Sequence, residues 1–224
     1  MALRKVTITL EGGGTVSGLW ARPVKAKACL VLAHGAGAGM THKSMIALAE
    51  GLAERGIASL RYQFPCMERG SRRPDPGPVA QAAVRAACAK AVRLARGLPL
   101  FAGGKSYGGR MSSQAQAVAP LPGVRGLVFF AFPLHPAGKP STARADHLGE
   151  IYIPMLFLQG TRDALAELDL LQPVVADLGS RTRLVLAKDA DHAFHVPAKT
   201  GRNDADVLAE LLDAAASWMT RRRA

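Results

Sequence analysis

Six consecutive apolar residues, Ala28–Ala33, leave no polar face for solvent. A run of this kind reads as a strand covered on both sides, as in a parallel sheet held between helical layers. The pattern recurs. Apolar, β-rich segments at Ile57–Tyr62, Leu98–Ala102, Val124–Phe132, Met155–Gln159 and Arg183–Leu186 alternate with segments of helical period. The latter lie at Ser44–Arg55 (stopped by Gly56), Val79–Arg96, Tyr107–Val118, within Ala164–Leu178, and at Asn203–Met219. Such alternation predicts an α/β fold, a mostly parallel twisted sheet with helices on both faces. Two further strands are expected near Lys5–Leu10 and Thr15–Ala21, joined as a hairpin by Gly12-Gly13-Gly14. No linker interrupts the pattern, so residues 1–224 are expected to form a single domain, one large enough to bury roughly 70% of its unfolded surface. The stretch Gln63–Pro78 has little apolar content and reads as a long loop, a class that is usually functional or mobile.

Chemistry concentrates where the Leu98–Ala102 strand meets the next helix. Gly104-Lys105-Ser106-Tyr107-Gly108 places a serine between glycines at a strand-to-helix turn. A serine there is thrust above the sheet edge in a strained backbone conformation, and the glycines leave room for the backbones crossing beside it. The helix N-terminus aims free N–H groups at developing negative charge. The Tyr107 amide is thus a candidate oxyanion donor. Two other readings apply to the same residues. One is a glycine-rich turn without chemistry. The other is the end of a phosphate-binding loop, which needs a glycine where Pro99 stands and an aspartate after Leu127–Phe132, where none occurs. Lys105 is expected to point to solvent or to form a local ion pair.

A serine nucleophile needs a base within hydrogen-bond reach. Asp163 lies just past the strand Met155–Gln159, and His192 just past Arg183–Leu186, which puts both on the edge that carries Ser106. His192 is the candidate base and Asp163 the candidate acid that fixes its tautomer. Asp189 and Asp191 compete for the acid's role, and His195 for the base's. His42, His135 and His147 have no comparable setting and read as surface histidines. A second glycine-rich turn, His34-Gly35-Ala36-Gly37-Ala38-Gly39, follows the strand Ala28–Ala33. Ala36 or Gly37 is the candidate for a second oxyanion amide, and His34 reads as a residue that orders this loop or borders the substrate.

Composition narrows the setting. Three cysteines, Cys29, Cys66 and Cys88, make a poor disulfide framework and lack metal-ligand spacing. No run approaches the roughly 18 apolar residues of a membrane span, and the first residues read as a strand rather than a leader. A cytoplasmic protein without a membrane partner is the expectation. Net charge is +12, which favours polyanions. The charge is scattered, however, with local clusters only at Arg69, Arg72 and Arg73 and at Arg221, Arg222 and Arg223. No recognition helix or RNA-binding signature accompanies it. Nucleic acid is therefore not an expected partner, although the charge does not exclude one.

Taken together, His34-Gly-Ala-Gly-Ala-Gly-Met, Arg61-Tyr-Gln-Phe-Pro, Gly104-Lys-Ser-Tyr-Gly-Gly-Arg, Phe132-Pro-Leu-His-Pro-Ala-Gly-Lys-Pro, Gln159-Gly-Thr-Arg-Asp and Asp191-His-Ala-Phe carry a resemblance. The chain resembles small, lid-less α/β-hydrolase-like proteins near the testis-expressed-protein-30-like group and, more distantly, dienelactone hydrolase. Dienelactone hydrolase has cysteine where Ser106 stands, so its substrate does not carry over. The resemblance implies an α/β-hydrolase fold without a large cap domain, since only Pro133 to Pro154 intervenes where caps insert. It also implies a Ser106–His192–Asp163 triad that needs no metal and no organic cofactor. The expected activity is hydrolysis of an ester, thioester or related acyl bond in a small molecule. The alternative is a catalytically weak binding or interaction module with a basic surface. Substrate walls are expected from Phe64, Met67, Phe132, Leu134 and Phe194, with Pro65 nearby. Arg61, Arg69, Arg72, Arg73 and Arg110 either approach an anionic substrate or are solvated and paired with Glu68 and Asp75. Oligomeric state is left open.

Overall fold

The computed structural model describes residues 3–221; Arg222 and Arg223 of the basic tail lie outside them. Among the described residues, eight strands form one sheet: β1 (Leu3–Thr9), β2 (Thr15–Ala21), β3 (Ala28–Ala33), β4 (Ile57–Tyr62), β5 (Leu100–Lys105), β6 (Val124–Phe130), β7 (Met155–Gly160) and β8 (Thr182–Ala187). Their order is β1-β2-β4-β3-β5-β6-β7-β8. The β1–β2 and β2–β4 pairs are antiparallel and all others parallel. The helices are α1 (Lys43–Glu54), α2 (Pro65–Glu68), α3 (Gly77–Leu94), α4 (Tyr107–Val118), α5 (Leu168–Asp177) and α6 (Asp204–Thr220).

The unbroken apolar runs are explained by the layering. Side chains alternate across a strand, and here both faces are covered. Cys29, Val31 and Ala33 of β3 point into one core with Ala83, Ala87 and Cys88 of α3 and Met111 and Ala115 of α4. Ala28, Leu30 and Leu32 point into the other, with Met45, Leu48 and Leu52 of α1 and Leu211 and Leu212 of α6. The same split divides Leu127 and Phe129 from Val128 and Phe130 in β6. Full burial of one such side chain contributes roughly 1.5–3 kcal/mol, so a slip of one residue in register would expose a whole face.

Two elements differ from expectation. β5 continues through Gly103 and Gly104 to Lys105, where the glycines read as the start of a turn. They serve close approach inside the sheet. A Cβ on Gly103 would lie 1.8 Å from the Val128 carbonyl oxygen of β6, and one on Gly104 would lie 2.1 Å from that of Ala33 in β3. The stretch read as a loop, Gln63–Pro78, contains α2, whose four residues are too few to show a period. This stretch is also tied down. Asp75 accepts from Arg69 and from the Cys66 amide, both at 2.5 Å, and Glu68 accepts from the Ser17 amide and hydroxyl.

Winding reverses at β3, because β4 lies on one side of it and β5 on the other. In open α/β sheets the crevice at such a point, beyond the strands' C-terminal ends, is where ligands bind. Between β6 and β7 lie only loop and a 3-10 segment, Ala143–Glu150, so no lid covers that edge. Among the described residues, no helix is long and apolar enough to cross a membrane.

Candidate active site

Ser106 caps α4 with φ 50° and ψ −118°, a region L-residues rarely occupy. Its N–H is held by the Phe130 carbonyl at 2.9 Å. The turn is tight because Gly108 also rests on β3: a Cβ there would lie 2.4 Å from the Ala33 carbonyl oxygen. Gly104 and Gly108 thus press on one backbone unit, and Ser106 is raised between them.

Three side chains meet above the sheet. His192 Nε2 lies 2.8 Å from Ser106 Oγ, and His192 Nδ1 lies 2.7 Å from Asp163 Oδ2. The Asp163 side chain is fully buried and that of His192 about a quarter exposed. Asp163 also accepts from the Leu165 amide at 2.8 Å and from Gln159 Nε2 at 2.5 Å. Gln159 in turn accepts from the Phe132 amide at 2.9 Å. The Leu165 amide holds Oδ1, while Gln159 and the imidazole share Oδ2, so the carboxylate is fixed in its orientation toward His192. The competing residues are engaged otherwise. Asp191 closes its own turn by accepting from the Ala193 and His195 amides. His195 is exposed and pairs with Asp204 at 2.9 Å, which raises its pKa. Asp189 is held through its backbone, whose amide donates to Thr161 Oγ1, and the acid bonded to His192 is Asp163.

Lys105 does not point to solvent. Its Nζ donates to the His192 carbonyl at 2.8 Å and sits 4.4 Å from the centre of the Phe194 ring. Burial lowers its pKa to about 8, against the opposing pull of Asp163 and Asp191. His135 and His147 are not surface residues either. His135 is fully buried, and His147 Nε2 lies 2.7 Å from Ser113 Oγ. His42 caps α1.

A cleft of about 650 Å³ opens beside Ser106, bordered by Ala36, Tyr107, Met111, Pro133 and Leu165. The far end of the 63–78 stretch reaches it through Pro74, Asp75 and Gly77. Ala36 borders the cleft, and its N–H meets no backbone acceptor among the described residues, whereas Gly37 faces the Arg72 backbone. The expected walls are largely corrected. Phe64, Phe132 and Leu134 are fully buried. Phe132 fills a gap between Phe129 and Phe157, with ring centres at 5.3 and 5.7 Å, where it buries more apolar area than a cleft wall would offer. Phe194 lies beneath Lys105, and Met67 packs by Gly39. His34 is also turned inward. Its Nδ1 donates to the Gly35 carbonyl, its Nε2 accepts from the Phe64 amide, and burial lowers its pKa. It is a loop-ordering residue and borders no substrate space.

The arginines sort in the same way. Arg61 is buried and donates to the Met40 carbonyl, and Arg69 is paired with Asp75. Arg72 and Arg73 are exposed and are not among the residues that border the cleft. Arg110 alone of the five borders it, together with Arg144, which sequence reasoning missed. Lys105 and Gln159 were also missed in their roles. For Gln159 a signal existed, since a lone amide in the apolar run Met155–Gly160 must find partners. Among the described residues, no cluster of three or more His, Cys, Asp or Glu is placed to share a metal ion.

Comparison with known proteins places this geometry in context. A family model described as an alpha/beta hydrolase domain matches residues 26–220. Dienelactone hydrolase from Anabaena variabilis superposes with a TM-score of 0.77 at 20% identity, over 97% of this chain and 96% of that one. XC6422 from Xanthomonas campestris, described as an a/b serine hydrolase without lid, gives 0.75 at 20% identity, over 100% and 98%. Est1E from Butyrivibrio proteoclasticus, with ferulic acid bound, gives 0.72 at 15% identity, over 93% and 98%. At these identities the likeness is one of fold.

Proposed function

Since the chain belongs to the alpha/beta hydrolase domain family, we propose that it is a serine hydrolase cleaving an ester, thioester or related acyl bond of a small molecule. The observation that carries the reading is the continuous chain of hydrogen bonds from Ser106 through His192 to Asp163, opening on a lidless cleft. Ser106 Oγ attacks the acyl carbonyl while His192 Nε2 takes its proton. The carbonyl oxygen becomes an anion and is received by the amides of Tyr107 and Ala36. The first of these begins a helix and has no intrahelical acceptor. As the intermediate collapses, the bond to the leaving group breaks and His192 returns the proton to it. Water then attacks the acyl-Ser106 ester by the same route and releases the acid. Asp163 stays ionised throughout, holding the imidazole in one tautomer and stabilising its charged form. The chemistry needs only these side chains and amides. Esterase-like neighbours such as Est1E, with its bound ferulic acid, support a small acyl ligand for this cleft as well.

Labelling with a fluorophosphonate probe tests the proposal. Wild type is expected to take the label and Ser106→Ala to take none, with His192→Ala falling by several orders of magnitude. Folded wild type that resists the probe, or Ser106→Ala that still labels, would sink it.

A further inference from the structure

α4 carries more than the nucleophile. Ser106, Arg110 and Gln114 recur at intervals of four along it, so they share one face, and all three border the cleft. Along the backbone about one helical turn, roughly 5.4 Å, separates Ser106 from Arg110, so the arginine's side chain and the serine open on the same part of the cleft. Arg110 leans on the Tyr107 ring, its guanidinium carbon 5.7 Å from the ring centre. Tyr107 meets Phe64, and Phe64 meets His34, through ring contacts of 5.3 and 4.9 Å. The guanidinium is thus steadied from below by a stack that runs to the loop after β3.

One of its donors lacks a partner. Arg110 Nε is buried with no hydrogen bond. Among the described residues, neither Arg110 nor Arg144 is in an ion pair with a carboxylate. The nearest acid on the cleft, Asp75, has both oxygens engaged and a side chain only 4% exposed. Instead a second cation, Arg144, borders the same cleft. Burial, and then the charge of Arg144, press the Arg110 pKa downward. Arg144 is held in place because its 3-10 segment is bonded to α4 through His147 and Ser113. His147 adds no third charge at neutral pH, since burial and Arg110 depress its pKa to about 4. Two like charges sharing a cleft without a counter-charge repel each other, and a bound anion relieves both the repulsion and the unmet donors.

We infer that Arg110 and Arg144 form an anion clamp one helical turn from Ser106, and that the preferred substrate is an acyl ester bearing a carboxylate about that far from the scissile carbonyl. The inference rests on Ser106 being the nucleophile, but the clamp itself is measurable without turnover. Planar guanidinium donors match a carboxylate in two-pronged geometry, and a short dicarboxylate such as glutarate spans the distance.

Two measurements test it. The first compares kcat/KM for the mono-4-nitrophenyl ester of glutaric acid with that for its uncharged methyl-capped counterpart. Wild type is expected to favour the charged ester, and Arg110→Gln or Arg144→Gln to cut that preference about tenfold or more. The second measures glutarate binding to wild type and to Ser106→Ala by calorimetry, with the same expected weakening in Arg144→Gln, whose site at the cleft rim is tolerant of substitution. Glutarate binding that is absent, or unchanged by both substitutions, overturns the clamp. So does a wild type that hydrolyses the neutral ester at least as well as the charged one. A protein that binds glutarate through both arginines yet takes no fluorophosphonate keeps the clamp and loses the hydrolase reading.

Discussion

The two walls of one cleft are built on opposite principles. On the Ser106 wall nearly every polar atom has its partner: serine on imidazole, imidazole on carboxylate, carboxylate on Gln159 and the Leu165 amide, and the His192 backbone on Lys105. On the Arg110 wall two guanidinium groups stand without a counter-ion among the described residues. The saturated wall is rigid and complete in itself, as a group that must react at fixed geometry requires. The unsaturated wall carries like charges that a bound anion would offset. The contrast sets a satisfied network beside a donor, Arg110 Nε, that is left unpaired at the cleft.

The contrast can be broken from the saturated side. Asp163→Asn leaves the shape but presents an amide to the imidazole and favours the wrong tautomer, so turnover of an aryl ester should fall about 10⁴-fold. A loss below about tenfold in steady-state assays would mean that another group orients His192. Gln159→Leu removes one donor from Asp163 and orphans the Phe132 amide, and a fall in kcat of about tenfold is expected, with little change in KM. An effect on KM alone would show that Gln159 serves the cleft wall instead. The smallest effect concerns Lys105, and its sign follows from burial. The amine's pKa is about 8 in the fold against an ordinary 10.5. Below pH 8 both states carry the proton and the penalty for burying the charge is fully present. Between about pH 8 and 10.5 the folded state has shed a proton that the unfolded chain keeps, so stability rises with pH. Urea denaturation of wild type and Lys105→Met across that window should show the rise in wild type relative to the variant. Parallel curves would mean the amine is not held as buried.

Much of this was legible in the residues themselves. The alternation of apolar strands with helical segments led directly to the doubly covered sheet, because covering both faces requires that composition at Ala28–Ala33 and at residues 127–130 of β6. That Ser106, Asp163 and His192 come together was legible because each follows a strand at the same sheet edge, a matter of topology that the sequence expresses. What escaped notice depends on orientation in space. Phe132 and Phe64 follow strands as faithfully as Asp163 does, yet they turn back into the core, and local spacing does not register the vacancy they fill. Arg144 lies 38 positions from Ser106 and shares the cleft with Arg110 because the 3-10 segment packs on α4. Lys105 sat inside the recognised motif but was assigned to solvent, since nothing in its neighbours announces a carbonyl 87 residues away.

The seat of Ser106 has a consequence for how the molecule opens. Gly104 and Gly108 both bear on Ala33, and the Ser106 amide is bonded to β6, so the serine is fastened to the middle of the sheet while β1 and β8 form its margins. Fraying of either margin leaves that seat untouched. The Ser106 amide is then released to deuterium only by global unfolding, and its exchange rate at neutral pH reads the stability of the whole fold.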